Sequence, residues 1–198
     1  VLSSWWVFFV LGTICGVCHL LPFDIAETNI SYYALCALMF SVGLSVGNDP
    51  QTLKNFRSLN PRLVFLPIMT ILGTLAGSAA VSLILTHRSI TDCLAVGSGF
   101  GYYSLSSIFI TEYKGAELGT IALLANIFRE MMALLGAPLI RKYFGKLAPI
   151  SAAGVNSMDV LLPSITQYSG KDVIPIAIFH GILIDMSVPV FVSFFCNL

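Results

Sequence analysis

The sequence predicts an all-α polytopic membrane protein, with about five full transmembrane helices and two glycine-interrupted segments arranged as an inverted repeat. Three observations lead there. Hydrophobic residues make up 57% of the 198-residue chain and charged residues 10%, against about a quarter charged in a soluble domain. Mean hydropathy is +0.88. Apolar runs of bilayer-crossing length recur, and two runs of similar size are broken by glycines and polar groups at their centres.

The full-length segments are Ser3 to Leu21, Ser31 to Val46, Leu63 to Leu85, Leu118 to Ile140 and Val173 to Phe195. Leu63 to Leu85 contains no charged residue, as a helix bathed in hydrocarbon requires. Trp5, Trp6, Tyr32 and Tyr33 lie near segment ends, where amphipathic rings favour the membrane interface. Gly73 and Gly77 form a G-x-x-x-G pair that permits close helix contact. Formal charge is zero, so lipid is an expected partner and nucleic acid is not. The five cysteines are scattered, which reads as packing and not as a disulfide framework. Cys15-Gly16-Val17-Cys18-His19 matches the haem-attachment spacing, but an apolar helix leaves little room for a haem. No cofactor is expected.

The two interrupted segments are Asp92 to Tyr113, containing "VGSGFGYYSL", and Ala148 to Tyr168, containing "AAGVNSMDVLLP". Loop charges bear on whether they cross. Lys54, Arg57 and Arg62 follow the second segment, and Arg141, Lys142 and Lys146 follow the fourth. Basic loops favour the cytoplasm, and two crossings between these loops satisfy that rule where three do not. The segment around Gly97 to Gly101 is then a re-entrant hairpin; the rival layout lets both broken segments cross. A shift of 55 residues lays "ITEYKGAE" from Ile110 on "ITQYSGKD" from Ile165, and pairs Gly99 with Gly154, Ser104 with Asp159 and Glu130 with Asp185. Repeat units of about 92–140 and 148–196 follow, the second inverted relative to the first, a common transporter plan.

Broken backbone at membrane depth survives only where protein or a water-lined cavity satisfies its N–H and C=O groups. Half-helix N-termini there suit a carboxylate, and freed carbonyls suit ammonium groups or cations. Asp159 is the leading candidate, because an ionised group at the bilayer centre costs at least about 2.5–3.5 kcal/mol and needs a partner or a task. Its alternative is a helix cap near a membrane face. Arg129 and Glu130, adjacent on one helix, point about 100° apart and seek separate partners. Arg129 suits a substrate carboxylate or Asp159, and Glu130 an ammonium group or a proton; a structural salt bridge is the other reading for each. Asn126 lies one turn earlier. His180 is either a hydrogen-bonded packing residue or a proton carrier, and Asp185 shares its helix.

The stretches "SGFGYYSLSSIFITE", "LANIFRE", "NSMDVLLP" and "HGILIDMSVP" resemble, in order, those of the bacterial lysine exporter LysO family. The resemblance runs over nearly the whole chain and is most specific from Ser98 to Pro189. It implies a secondary active transporter exporting L-lysine and its toxic analogues across the bacterial inner membrane. Asp159, of the "SMD" motif, is the implied essential acid. Gly99, Gly101, Tyr102, Ser104, Asn126, Arg129, Glu130, Ser157 and His180 are further implied positions, and Asn156, beside Ser157, is a further candidate for the site. Tyr102 stands where many relatives have tryptophan, and Asp185 where a small polar residue is expected. Single-chain members begin with additional membrane helices. A short LysO-like partner subunit supplying them, or a homo-oligomer, is therefore expected, and the chain, which starts at Val1, reads as the larger C-terminal portion. Proton antiport through Asp159 is the expected coupling, with sodium open. The rivals are a sodium/proton or organic-ion carrier of the same plan, and an intramembrane serine hydrolase using Ser98 or Ser104 with His180 as base.

Overall fold

Residues 10–12, 14, 15, 44, 65–85 and 87–198 are described by the computed structural model. The segments Ser3 to Leu21 and Ser31 to Val46, their aromatic ends, the loop charges Lys54, Arg57 and Arg62, and Cys18 and His19 of the haem-like motif lie largely or wholly outside the described residues. The chain divides into two compact units, Val1–Pro50 and Gln51–Leu198.

Within the second unit, and among the described residues, every regular element is helical. The run expected at Leu63 to Leu85 forms α1, Phe65–Ser82, with Pro67 in its first turn, where a missing N–H costs little. Helix α2, Ile90–Gly97, starts because the Ser89 side chain accepts a bond from the Asp92 N–H at 3.1 Å. It ends in Ser98-Gly99-Phe100-Gly101, and α3, Tyr103–Lys114, follows. After Gly115 comes α4, Ala116–Phe144, whose 29 residues give a length of roughly 43 Å. The six-residue α5, Ala148–Ala153, is followed by a 3-10 turn at Gly154–Met158 and then α6, Leu162–Ser169. A short turn, Lys171–Val173, leads into α7, Ile174–Cys196, with Pro175 in its first turn. The interruptions fall inside both segments that the glycines mark.

Among the described residues, three stretches are long and apolar enough to cross a membrane: Phe65–Ser82, Ala116–Phe144 and Lys171–Cys196. Helices α4 and α7 are the pillars. The first packs along α2, α3, α5 and α6; the second packs along α1, α2, α3 and the 3-10 turn. Between them lies a core built around Phe100, Ile110, Ala122, Val155, Ile184 and Val188.

Ion pairs fix how the broken segments fold back. Arg88 pairs with Glu117, and Lys114 lies 3.8 Å from Asp92. The start of α2 therefore sits beside the end of α3 and the start of α4. Lys146 likewise meets Asp172 at 2.6 Å, which brings the start of α5 beside the start of α7. One folded-back segment is anchored at the N-terminal end of α4 and the other at its C-terminal end. Gly115 (φ 93, ψ 166) and Gly170 (φ 93, ψ 164), 55 positions apart, share one backbone conformation and end α3 and α6 alike.

Candidate functional site

The two breaks form elbows, Ser98 to Tyr102 and Gly154 to Leu161, and they touch. The Val155 N–H donates to the Phe100 carbonyl at 3.0 Å. The Asn156 side-chain amide donates to the Gly101 carbonyl at 3.4 Å. Both contacts join residues 55 positions apart. Phe100 holds φ 46, a conformation that costs a non-glycine residue roughly 1–2 kcal/mol. Its ring is fully buried and meets Phe191 edge-on at 6.1 Å, and this packing offsets the strain.

A short stretch of α4 serves both elbows. Asn126 accepts from the Gly101 N–H at 2.8 Å and donates to Ala122 O at 2.9 Å, with longer contacts to Ser106 and to Val96 O. Gly99 is small because a side chain there would strike Asn126 and Ser106. One turn on, Arg129 donates from Nε to Ala152 O at 3.1 Å, from Nη2 to Ser151 O at 3.3 Å and from Nη1 to Thr74 Oγ1 at 3.3 Å. The ion pair with Asp159, one of the readings open for Arg129, is not formed, because Arg129 spends its donors on the carbonyl end of α5 and on α1. Glu130 points elsewhere: its Oε2 accepts from Asn156 Nδ2 at 2.9 Å. The divergence expected of adjacent helix positions holds.

Glu130 and Asp159 are within electrostatic reach of each other, and Asp159 of Asp185. All three carboxylates are half-buried. Tyr103, 39% exposed, borders Glu130 and Asp159. Asp159 follows the 3-10 turn; its Oδ1 accepts from the Val160 N–H at 2.5 Å and its carbonyl from the Leu162 N–H at 3.0 Å. It therefore steadies the turn into α6 while facing the acidic cluster. Ser104 lies exposed on α3, and Tyr102 packs against the core at the start of that helix.

His180 is fully buried, with Nδ1 3.1 Å from Ser157 Oγ and Nε2 3.0 Å from Thr70 Oγ1. Ser157 also donates to Ala177 O at 2.9 Å, and Ser151 joins Thr70. Both ring nitrogens thus face hydroxyl groups. The hydrolase pairs do not form: Ser98 donates to Ala95 O at 2.8 Å, and Ser104 is exposed. Thr70, Thr74 and Ser151 are the polar residues the sequence reading missed. Their only signal was a hydroxyl in an apolar run. On the other side of the elbows, α1, α2 and α4 enclose a cavity of about 770 Å³, lined in part by Thr74, Ser78, Val96, Ile121, Asn126 and Arg129. Among the described residues no group of three His, Cys, Asp or Glu side chains is placed to hold a metal ion.

Apolar helices with two interrupted segments that meet midway beside carboxylates have the build of a membrane transport protein. Residues 6–196 match the family model described as "Lysine exporter LysO", and the chain belongs to that family. It is 36% identical over 169 residues to the lysine exporter LysO of Escherichia coli, covering 85% of this chain and 55% of that protein. It is 33% identical over 165 residues to a Haemophilus influenzae protein named "Putative lysine exporter", covering 83% of each. The match thus spans little more than half of the Escherichia coli relative. No solved structure matches.

Proposed function

We propose that this chain is a secondary active transporter that exports L-lysine across the bacterial inner membrane in exchange for protons. The observation that carries the reading is the meeting of both elbows at mid-α4, where Glu130 lies within electrostatic reach of Asp159, and Asp159 of Asp185. The names of the relatives supply the substrate class. In this reading Asp92 to Tyr113 and Ala148 to Tyr168 are re-entrant hairpins entering from opposite faces. The ion pairs at opposite ends of α4 support that layout, as do the like conformations of Gly115 and Gly170. Units 92–140 and 148–196 are then inverted repeats, and residues that touch across the 55-residue offset lie on their common axis.

Lysine presents two ammonium groups and one carboxylate. The acidic face of Glu130, Asp159 and Asp185 matches the ammonium groups, and the N-terminal end of α3, at Tyr103 and Ser104, matches the carboxylate. Protons and ammonium groups compete for the same carboxylates, so loading one releases the other. Asp159 is the exchange point, positioned by its turn; Asn156 holds Glu130 against the first elbow. The Escherichia coli relative extends well beyond the matched region, and the proposal includes a second chain beside this one, either a short relative or another copy. Co-purification from the native membrane tests that part.

The decisive measurement uses proteoliposomes loaded with a pH-sensitive dye. A lysine gradient changes the internal pH in the wild type, and Asp159→Asn abolishes this change while the protein remains inserted. A wild-type pH response from Asp159→Asn ends the proton-exchange reading. A response that follows a sodium gradient instead moves the coupling to sodium.

A further inference from the structure

The carbonyl end of α5 raises a question the transport reading leaves open. A half-helix of six residues, Ala148–Ala153, ends at a positive-φ glycine inside the protein. Of its last carbonyls, only that of Ile150 is met by the following glycine's N–H. The negative end of the helix is thus concentrated on Ser151 and Ala152, and the hydroxyl of Ser151 itself bonds Thr70 instead. Both of those carbonyls are met by the guanidinium of Arg129, from another helix. A third donor ties the same group to Thr74 of α1.

We infer that Arg129 is a positioning residue: its planar fork caps the carbonyl end of α5 and fixes the second elbow against α1 and α4, and it does not bind the substrate carboxylate. A guanidinium suits this task because its donors lie in one plane at fixed angles and match adjacent carbonyls, while its charge opposes the helix dipole. The placement of neighbours agrees. Gly154 runs so close beneath that an added Cβ would lie 3.3 Å from Nη2. Asn126 ties down the first elbow from the same face of α4. Arg129 also lines the cavity between α1, α2 and α4, whereas Glu130 does not. Among the described residues, Arg129 is thus committed to backbone and leaves the acidic cluster free to meet cationic cargo.

This inference rests on the transport reading for its meaning, but its first test needs no transport. In a cysteine-free background, Ala153→Cys places a thiol at a fully buried position, the last residue of α5, directly before the second elbow. Its labelling by a small maleimide reports the opening of the elbow. Arg129→Gln accelerates labelling roughly tenfold, as expected for losing hydrogen bonds to a charged group. Arg129→Lys, which keeps the charge but not the fork, recovers only part of the protection. Thr74→Val removes a single tether and gives a smaller increase, which keeps the test decisive if the arginine variants fail to accumulate. The second test compares binding of lysine with lysinamide, which lacks the carboxylate charge. The ratio of the two affinities stays at the wild-type value in Arg129→Lys. Unchanged labelling in the Gln, Lys and Val variants overturns the inference, and so does a collapse of the lysine-to-lysinamide ratio.

Discussion

Gly154 offers the most demanding test of how the elbows meet. Its φ is +65 with ψ −127, backbone that costs any other residue on the order of 1–3 kcal/mol. A Cβ built there would also run into the Phe100 carbonyl oxygen. That oxygen cannot swing aside, because it belongs to backbone and accepts the Val155 N–H. Gly154→Ala must therefore break that bond, which leaves a buried amide unmet at about 1–3 kcal/mol. The sum is roughly 2–6 kcal/mol, or a fall in melting temperature of about 4–24 °C for a chain of this size. Gly145→Ala is the control. Its φ is +96 but nothing lies within 4 Å of an added Cβ, so it incurs the torsional cost alone. Purified protein in detergent, followed by circular dichroism on heating, measures both. Equal losses for the two variants would refute the argument, since the Phe100 contact would then contribute nothing. Lysine export by Gly154→Ala should fall at least in proportion to the loss of folded protein.

Asn126→Ala removes the acceptor of the Gly101 N–H; a loss of about 1–3 kcal/mol should show in the same melting experiment. His180→Gln should lower stability by about 1–2 kcal/mol but leave the pH profile of export unchanged, because both ring nitrogens face hydroxyls in a fully buried site. The Lys146–Asp172 pair is 43% and 58% exposed, so Lys146→Ala should cost under about 1 kcal/mol and barely alter export rates measured in vesicles. A larger effect there would mean that the pair holds the second hairpin shut.

What the chain spells out in linear form is solvent preference and breakage. Leu63 to Leu85, Leu118 to Ile140 and Val173 to Phe195 each lie on a helix within a few residues of their expected ends, because hydrocarbon demands unbroken apolar text. Glycine clusters at 97–101 and at 154 marked the breaks for the same reason. The partners of the polar groups were not legible. Arg129 was expected to seek a carboxylate, but it found the carbonyls of Ser151 and Ala152. Those groups are present at every residue, and only the early end of α5 exposes them. Thr70 and Ser151 were invisible for a related reason. A hydroxyl in a helix can satisfy itself on its own backbone, as Thr70 also does on Leu66 O at 2.9 Å, so its presence says nothing about a distant imidazole.

Asn126, Arg129 and Glu130 occupy little more than one turn of a single rigid helix, and between them they grip both halves of the broken backbone. A tilt or roll of that helix displaces both halves in the same stroke. In the proposed re-entrant layout, neither half can loosen towards its own side of the bilayer while the other stays indifferent. In the proposed transport reading, a conduit open at both mouths at once would require tearing this shared grip, so the contacts that seat the cargo would also guard the membrane against leak.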